Sequence, residues 1–435
     1  METWLVITLL GGVFLFLMLN RVPVALSFLA ANIVVLVAYG GTRFFDIISS
    51  GMFNSLNSFI MIAVPLFVIM GEIIVRCGLV DVISSAVESI FGRLRAQSAL
   101  ITVGTGTILA TLSGAPLATS ATLGSTMVPK MISEGYKKWF ACGTALGGAA
   151  LAALIPPSGL AIVLATLAEV SPSKVLIGGL VPGIIIAILF VVYIIVMSYI
   201  NPDVVPANTE VKQNMTTQER IVNIARALPL LIIVFLVVGV IILGIATATE
   251  AAALGAVGSI IVALAYRRLT WKILLDSLYA TAKMTTMIFL IMSCSSIFGR
   301  VLSLTGAGPE IVDAIVTSAL SPYAIIGLMI VCVLIMGCFM DSIALMMITI
   351  PLFTPAVIEL GFEPIWFCVL ILITLGIAGL TPPVGLTLYA LKGSCPEVGM
   401  EDVYSGGVPF FLIQILMVII TMFIPAIALW LPCLI

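Results

Sequence analysis

Leu154-Ile155-Pro156-Pro157-Ser158-Gly159-Leu160 and Leu380-Thr381-Pro382-Pro383-Val384-Gly385-Leu386 stand 226 positions apart, each inside a long apolar run, 139–168 and 365–391. Proline lacks an N–H and its ring clashes with the preceding turn, so a double proline breaks a helix. The spacing recurs: Gly361-Phe362 follows Gly135-Tyr136, and Thr249-Glu250-Ala251 follows Pro23-Val24-Ala25, at the same 226 positions. The chain therefore reads as two repeats, 1–205 and 228–435, joined by a cytoplasmic linker at 206–227.

Composition names the solvent. Of 435 residues, 62% are hydrophobic and 9% charged, against about half and a quarter in soluble domains. Lipid is its medium, and backbone groups there must be satisfied internally, by helices or closed barrels. The apolar runs are continuous rather than alternating, which selects helices. Met1-Glu2-Thr3-Trp4 lacks the basic start of a cleavable signal, and its run is read as the first span. A net charge of −2 offers no basic field for nucleic acid. The absence of histidine removes HExxH metalloproteases, Ser-His dyads, haem ligation by His and histidine proton relays. The eight cysteines include no CxxC pair and read as small apolar filler.

The expected fold is an all-α polytopic membrane protein of about ten transmembrane helices plus two re-entrant hairpins. Spans are predicted near 3–19, 22–39, 58–76, 139–168, 176–200, 228–246, 248–266, 277–299, 365–391 and 408–432. Two further blocks, 98–129 and 322–358, are interrupted at Ser113-Gly114-Ala115-Pro116 and Met340-Asp341-Ser342. Each half-block is short for a crossing, so each block is a hairpin or, alternatively, one kinked span. Lys and Arg favour cytoplasmic loops. Arg93, Arg95, Lys130, Lys137 and Lys138 bracket the first block, which puts both its ends inside. Glu310, Asp313, Glu359 and Glu363 bracket the second, with no Lys or Arg between Arg300 and Lys392, which puts both its ends outside. Arg43, Lys174 and Arg300 oppose this sidedness. Five crossings and a hairpin per unit make the second unit inverted, an arrangement that marks secondary transporters. Residues 79–92 and 309–321 are read as interfacial arm helices bracing the hairpins.

Freed carbonyls at a broken helix suit a bare cation. Two sodium sites are expected. One joins Ser113, Gly114 and Ala115 to Ile155, Pro156, Pro157 and Ser158; the other joins Met340, Asp341 and Ser342 to Thr381, Pro382, Pro383 and Gly385. The bland alternative is that the prolines only kink packed helices. Ser113, Asp341, Ser342 and Arg300 are the candidate substrate ligands, and an ionisable Asp341 inside an apolar block is the most pointed of them. Glu250 either carries a role or caps a helix; Glu72 and Arg76 are placed to pair with each other. Lys283 and Arg300, towards opposite ends of one span, read first as snorkelling residues, with Arg300 second as a carboxylate partner, and Met340, Met346 and Met347 read as packing.

Val64-Pro65-Leu66-Phe67-Val68 with Gly71-Glu72, Leu112-Ser113-Gly114, the two double-proline stretches and Gly244-Ile245-Ala246-Thr247-Ala248-Thr249-Glu250-Ala251-Ala252-Ala253 together carry a resemblance. The chain resembles the large membrane subunit of TRAP (tripartite ATP-independent periplasmic) transporters over nearly its whole length. It departs at Ala248, where the family often has Pro, and at Ser342, where Pro often follows the Asp. The resemblance implies an elevator-type subunit of the bacterial inner membrane that moves an organic acid inward with Na⁺ and needs no other cofactor. It implies a small four-helix membrane subunit and a periplasmic substrate-binding protein as partners, and C4-dicarboxylates, sialic acid or related carboxylates as substrates. The rival reading is a stand-alone Na⁺/divalent-anion symporter of similar architecture. An intramembrane enzyme is disfavoured by the lack of His, of GxGD and of an acid pair.

Overall fold

A computed structural model describes residues 3–20, 22–40, 45–91, 96–206, 216–383 and 385–434. Arg43, Arg93 and Arg95, used above for sidedness, and Val384 lie outside them. The described chain is helical and free of strands. The first unit comprises α1 (Thr3–Leu19), α2 (Val24–Gly40), α3 (Phe45–Leu56), α4 (Ala63–Arg76), α5 (Val80–Phe91), α6 (Gln97–Ser113), α7 (Pro116–Ser133), α8 (Lys138–Ala150), α9 (Gly159–Leu167), α10 (Pro172–Gly178) and α11 (Leu180–Ile200). The second comprises α12 (Thr217–Ile242), α13 (Ala248–Ala265), α14 (Trp271–Thr305), α15 (Ala307–Val316), α16 (Pro322–Gly337), α17 (Ser342–Glu359), α18 (Pro364–Ala378), α19 (Leu386–Ser394), α20 (Met400–Phe423) and α21 (Ala426–Leu429). The 226-residue offset read from the sequence carries α7 onto α17 end to end, and the starts of α6 and α8 to within a residue of α16 and α18.

Among the described residues seven helices are long and apolar enough to cross a membrane, the longest being Trp271–Thr305. At 1.5 Å per residue its 35 residues run to about 52 Å, well beyond a hydrocarbon core of about 30 Å. The expected arm helices are α5 and α15, and α12 starts inside the expected linker, on a capping box formed by Thr216 and Glu219. The sequence reading contained no counterpart of α3. The difference from the second unit is local. Asn57-Ser58, with Ser58 extended at φ −115°, separates α3 from α4. The positions 226 later are Lys283-Met284, better helix formers, and α14 runs through them unbroken.

Both blocks are hairpins, not kinked spans. In the first, the Ser98 hydroxyl near the start of α6 donates to the Glu134 carboxylate just past the end of α7. One turn in, Thr102 meets the Met131 sulfur at 3.3 Å. In the second, the Tyr323 and Phe362 rings meet edge-on with centroids 5.1 Å apart. In each case the start of the block lies beside its end.

The middle of the molecule is the pair of broken helices. α8 is buried from Phe140 to Ala150 and α18 from Trp366 to Ala378, as helices apolar on all sides must be. They meet backbone to backbone: a β-carbon on Gly376 would lie 2.7 Å from the Ala150 carbonyl oxygen. Gly376 stands 226 positions after Ala150. Repeat-equivalent residues that touch each other lie on a two-fold pseudo-axis.

The hairpin geometry predicts a labelling pattern. In a background stripped of native cysteines, Lys137→Cys should react from the cytoplasmic side and Glu363→Cys from the opposite side. A Ser98→Cys/Glu134→Cys pair should cross-link within one chain; finding positions 98 and 134 on opposite faces of the membrane would refute the hairpin.

Candidate cation and substrate site

At the first tip α6 ends on Gly114, which adopts the left-handed φ of +58° that glycine tolerates. Pro116 then opens α7 at its first position, where no N–H is needed. Ser113 faces Thr119, their hydroxyl oxygens 2.9 Å apart. The tip is pressed onto the first break: a β-carbon on Gly114 would lie 3.3 Å from the Gly159 nitrogen and 3.5 Å from the Pro157 carbonyl oxygen. The break is itself buried, Ile155 at 6% and Ser158 at 0% exposure. Ser158 donates to the Ala153 carbonyl at 3.0 Å and accepts from the Ala161 N–H at 3.4 Å, capping α9. α4 closes the other side. A β-carbon on Gly71 would sit 2.6 Å from the Ser113 α-carbon, so only glycine fits there. The expected grouping of Ser113, Gly114 and Ala115 with Ile155, Pro156, Pro157 and Ser158 is thus in contact along Gly114.

The second tip and break also meet. The Gly385 N–H donates to the Cys338 carbonyl at 3.4 Å. A β-carbon on Gly337 would lie 2.4 Å from that of Ala378, just before the break. Asp341 is the N-cap of α17, and its Oδ2 accepts from the Ile343 N–H at 3.0 Å. The carboxylate thereby acts as a helix cap. Thr381 donates to Ile377 at 2.8 Å. Gly385 starts α19 at φ +51°. Pro382 and Pro383 are exposed, unlike their buried counterparts Pro156 and Pro157. Both double prolines are joined by cis peptide bonds.

A cleft opens at the first tip, lined by Val64, Phe67 and Val68 of α4, Ser113 and Gly114, Leu160 and Val163 of α9, and Met284 and Ile288 of α14. Its wall is apolar apart from Ser113, the tip backbone and the start of α9. Arg300 does not join it. It is exposed and lies beside Gly51 of α3, whose β-carbon would be 3.6 Å from the Arg300 Cδ. Its neighbour Gly299 packs on Pro351, ten residues or about 15 Å along α17 from Asp341. Glu250 takes the capping role, its Oε2 accepting from the Thr247 N–H at 2.8 Å and hydroxyl at 2.9 Å. Glu72 and Arg76 pair within α4 at 2.6 Å. Lys283 is exposed. The sequence reading passed over Thr119, which faces Ser113 across the turn, and Gly71, whose signal was only its place in a motif.

A family model described as "Tripartite ATP-independent periplasmic transporter, DctM component" matches residues 11–427. The chain belongs to this family. It is 30% identical over 420 residues to the isethionate TRAP transporter permease protein DctMQ of Oleidesulfovibrio alaskensis, covering 96% of this chain and 65% of that protein. It thus spans under two thirds of that relative's length. It is 30% identical to the C4-dicarboxylate TRAP transporter large permease protein DctM of Pseudomonas aeruginosa, with 88% of each covered. To the 2,3-diketo-L-gulonate TRAP transporter large permease protein YiaN of Escherichia coli it is 28% identical, over 87% of this chain and 88% of the other. The crystal structure of the Alcanivorax borkumensis YdaH transporter shares the fold, with a TM-score of 0.62, 13% identity and 89% of each chain covered. The TRAP large subunit is accordingly a multi-pass protein of the bacterial inner membrane and a transport protein, as its permease relatives are.

The packing at the first tip sets a prediction. Gly71→Ala of this TRAP subunit should push the tip off α4, since the contacted atom is backbone and cannot rotate away. The expected cost is about 1–3 kcal/mol of stability, read as a lower midpoint in thermal unfolding, together with transport falling at least severalfold at matched abundance. Wild-type midpoint and transport would show that α4 does not hold the tip.

Proposed function

We propose that this subunit carries an organic acid into the cell together with Na⁺, as the transport component of a binding-protein-dependent TRAP system. The observation that carries the reading is the tip-to-break contact made twice, once in each repeat. At each, helix-end amides and unwound carbonyls converge without a lipid-facing partner, and such ends are where cations and carboxylates bind in membranes. Backbone carbonyls and the Ser113, Ser158, Ser342 and Thr381 hydroxyls supply neutral oxygens, which suit a hard monovalent cation. Asp341 adds charge at the second site.

Among the described residues no arginine or lysine lines the cleft. A substrate carboxylate in it would be balanced by the coupling ions and by N–H groups at the start of α9, rather than by a guanidinium. The relatives' names speak of isethionate, C4-dicarboxylate and 2,3-diketo-L-gulonate, all organic anions, and the substrate class proposed here is the same. Sialic acid belongs to the wider expectation. The partners are a small membrane subunit and a periplasmic binding protein. The units would be inverted in the membrane, boundaries falling near 205 and 228, with the hairpins and broken helices moving as one body against α1–α4 and α12–α14. That division follows from the buried α8 and α18 at the centre and from the long α14, which outspans the bilayer.

Two measurements test the proposal. Proteoliposomes holding this chain, a small subunit and a matched binding protein should show uptake that rises with an inward Na⁺ gradient. Strong uptake by this chain alone would favour the stand-alone symporter. In the complete system Asp341→Asn should cut transport at least tenfold with folding retained, because charge acts strongly in apolar surroundings. Ser113→Ala, which removes one hydroxyl among several oxygens, should raise the Na⁺ half-saturation a few-fold and leave residual uptake. If Asp341→Asn transports normally with the same Na⁺ dependence, the second tip is not an ion site.

A further inference from the structure

The two breaks share a cis double proline but are tethered by different side chains. In the first, the tether lies within the broken helix itself, the Ser158 hydroxyl donating to Ala153 at 3.0 Å. The residue 226 positions later is Val384, which has no hydroxyl to offer. The second break has the Thr381 bond to Ile377 before its prolines and is tethered after them from outside. Tyr404, in the second turn of α20, donates its hydroxyl to the Pro383 carbonyl at 2.9 Å. The residue 226 positions before Tyr404 is Gly178. A β-carbon there would lie 3.0 Å from Val369 Cγ2 and 3.1 Å from the Ala428 carbonyl oxygen, so the first unit has no space for a ring. The pair Ser158 with Gly178 has been exchanged for Val384 with Tyr404. The hydroxyl that holds the double proline thus comes from the broken helix itself in the first unit and from α20 in the second.

The exchange matters because the second break is exposed at Pro382 and Pro383, whereas the first is buried. Burial and the Ser158 hydroxyl together fix the first set of carbonyls. An exposed peptide is free to turn unless something holds it. Tyr404 can hold it because α20 is itself locked against α8: a β-carbon on Gly406, two residues on, would lie 2.1 Å from the Trp139 carbonyl oxygen, and one on Gly143 2.3 Å from that of Gly406. A carbonyl oxygen has two lone pairs, so the hydroxyl occupies one and leaves the other for a ligand. The tip is one hydrogen bond away, through Gly385 and Cys338.

We propose that Tyr404 is the positioning residue of the second cation site, orienting the Pro383 carbonyl toward the ion bound between the tip at Met340-Asp341-Ser342 and the break. This rests on the cation reading above. The first site is then self-contained in one hairpin and one broken helix, and the second depends on α20.

The experiment needs neither substrate nor partner subunits. The purified chain in lipid nanodiscs is titrated with NaCl against choline chloride at constant ionic strength, and thermal unfolding is followed. Ion binding to the folded state raises the midpoint by mass action. In Tyr404→Phe the Na⁺ concentration giving half of this rise should increase about three- to tenfold, the effect of one lost hydrogen bond. The midpoint without Na⁺ should stay near that of wild type. Tyr193→Phe, whose ring packs on Phe410, should change neither. An unchanged Na⁺ response in Tyr404→Phe would overturn the assignment. So would a lower midpoint in choline with the Na⁺ response intact, which is the signature of a purely structural tyrosine. A wild-type chain that gains nothing from Na⁺ would instead sink the cation reading, and this inference with it.

Discussion

A carbonyl freed by proline inside hydrocarbon must find a partner, and the structure is arranged around meeting that demand twice. A helix that crosses the membrane unbroken satisfies itself. α8 and α18 do not, because Pro156-Pro157 and Pro382-Pro383 end them at mid-chain. Where water is excluded the partner must be brought by the protein, and a hairpin tip is the element that can reach a buried helix end. The small residues follow from this. Gly114 lets the first tip lie on Pro157 and Gly159, Gly71 lets α4 lie on Ser113, and Gly337 lets the second tip lie on Ala378.

The two units carry one plan to different ends. Around the pseudo-axis at Ala150 and Gly376 the breaks hold equivalent places and each carries a cis double proline, yet one is sealed and the other open. In the scaffold the same divergence appears as α3 and α4 in one unit against a continuous α14 in the other. Side-chain hydrogen bonds to backbone then join the parts: Asn32 of α2 to the Cys294 carbonyl, Ser295 of α14 to Met347, and Ser120 of α7 to Thr387, each at 2.9 Å. Such contacts are worth about 1 kcal/mol each in membranes. Their role is register more than strength.

Much of the site was legible because prolines, glycines and charges leave marks that apolar residues do not. The breaks, both tips and both arm helices can be read from Pro-Pro, Ser-Gly-Ala-Pro and Met-Asp-Ser and from the charges that bracket them. Other features left no such mark. α3 follows from Asn57-Ser58, a pair that disfavours helix only weakly and that becomes decisive only when the second unit shows the unbroken alternative. Arg300 looked like a carboxylate ligand because it is a charge in an apolar run, yet it lies beside α3. The position of a side chain around a long helix depends on what packs against it.

What the sequence by itself determined is the class of structure: helices in lipid, two repeats at a fixed offset, and interruptions where backbone groups would need partners. These are consequences of local chemistry, since proline, glycine and apolar run length act on their own segment of chain. What only the tertiary structure decided is which groups answer them. That Gly114 meets Pro157 and that the Gly385 N–H meets Cys338 are facts of packing between segments far apart in the chain. So is the tyrosine on α20 that reaches Pro383, because the distance between two helices is set by how their faces fit and not by either helix alone.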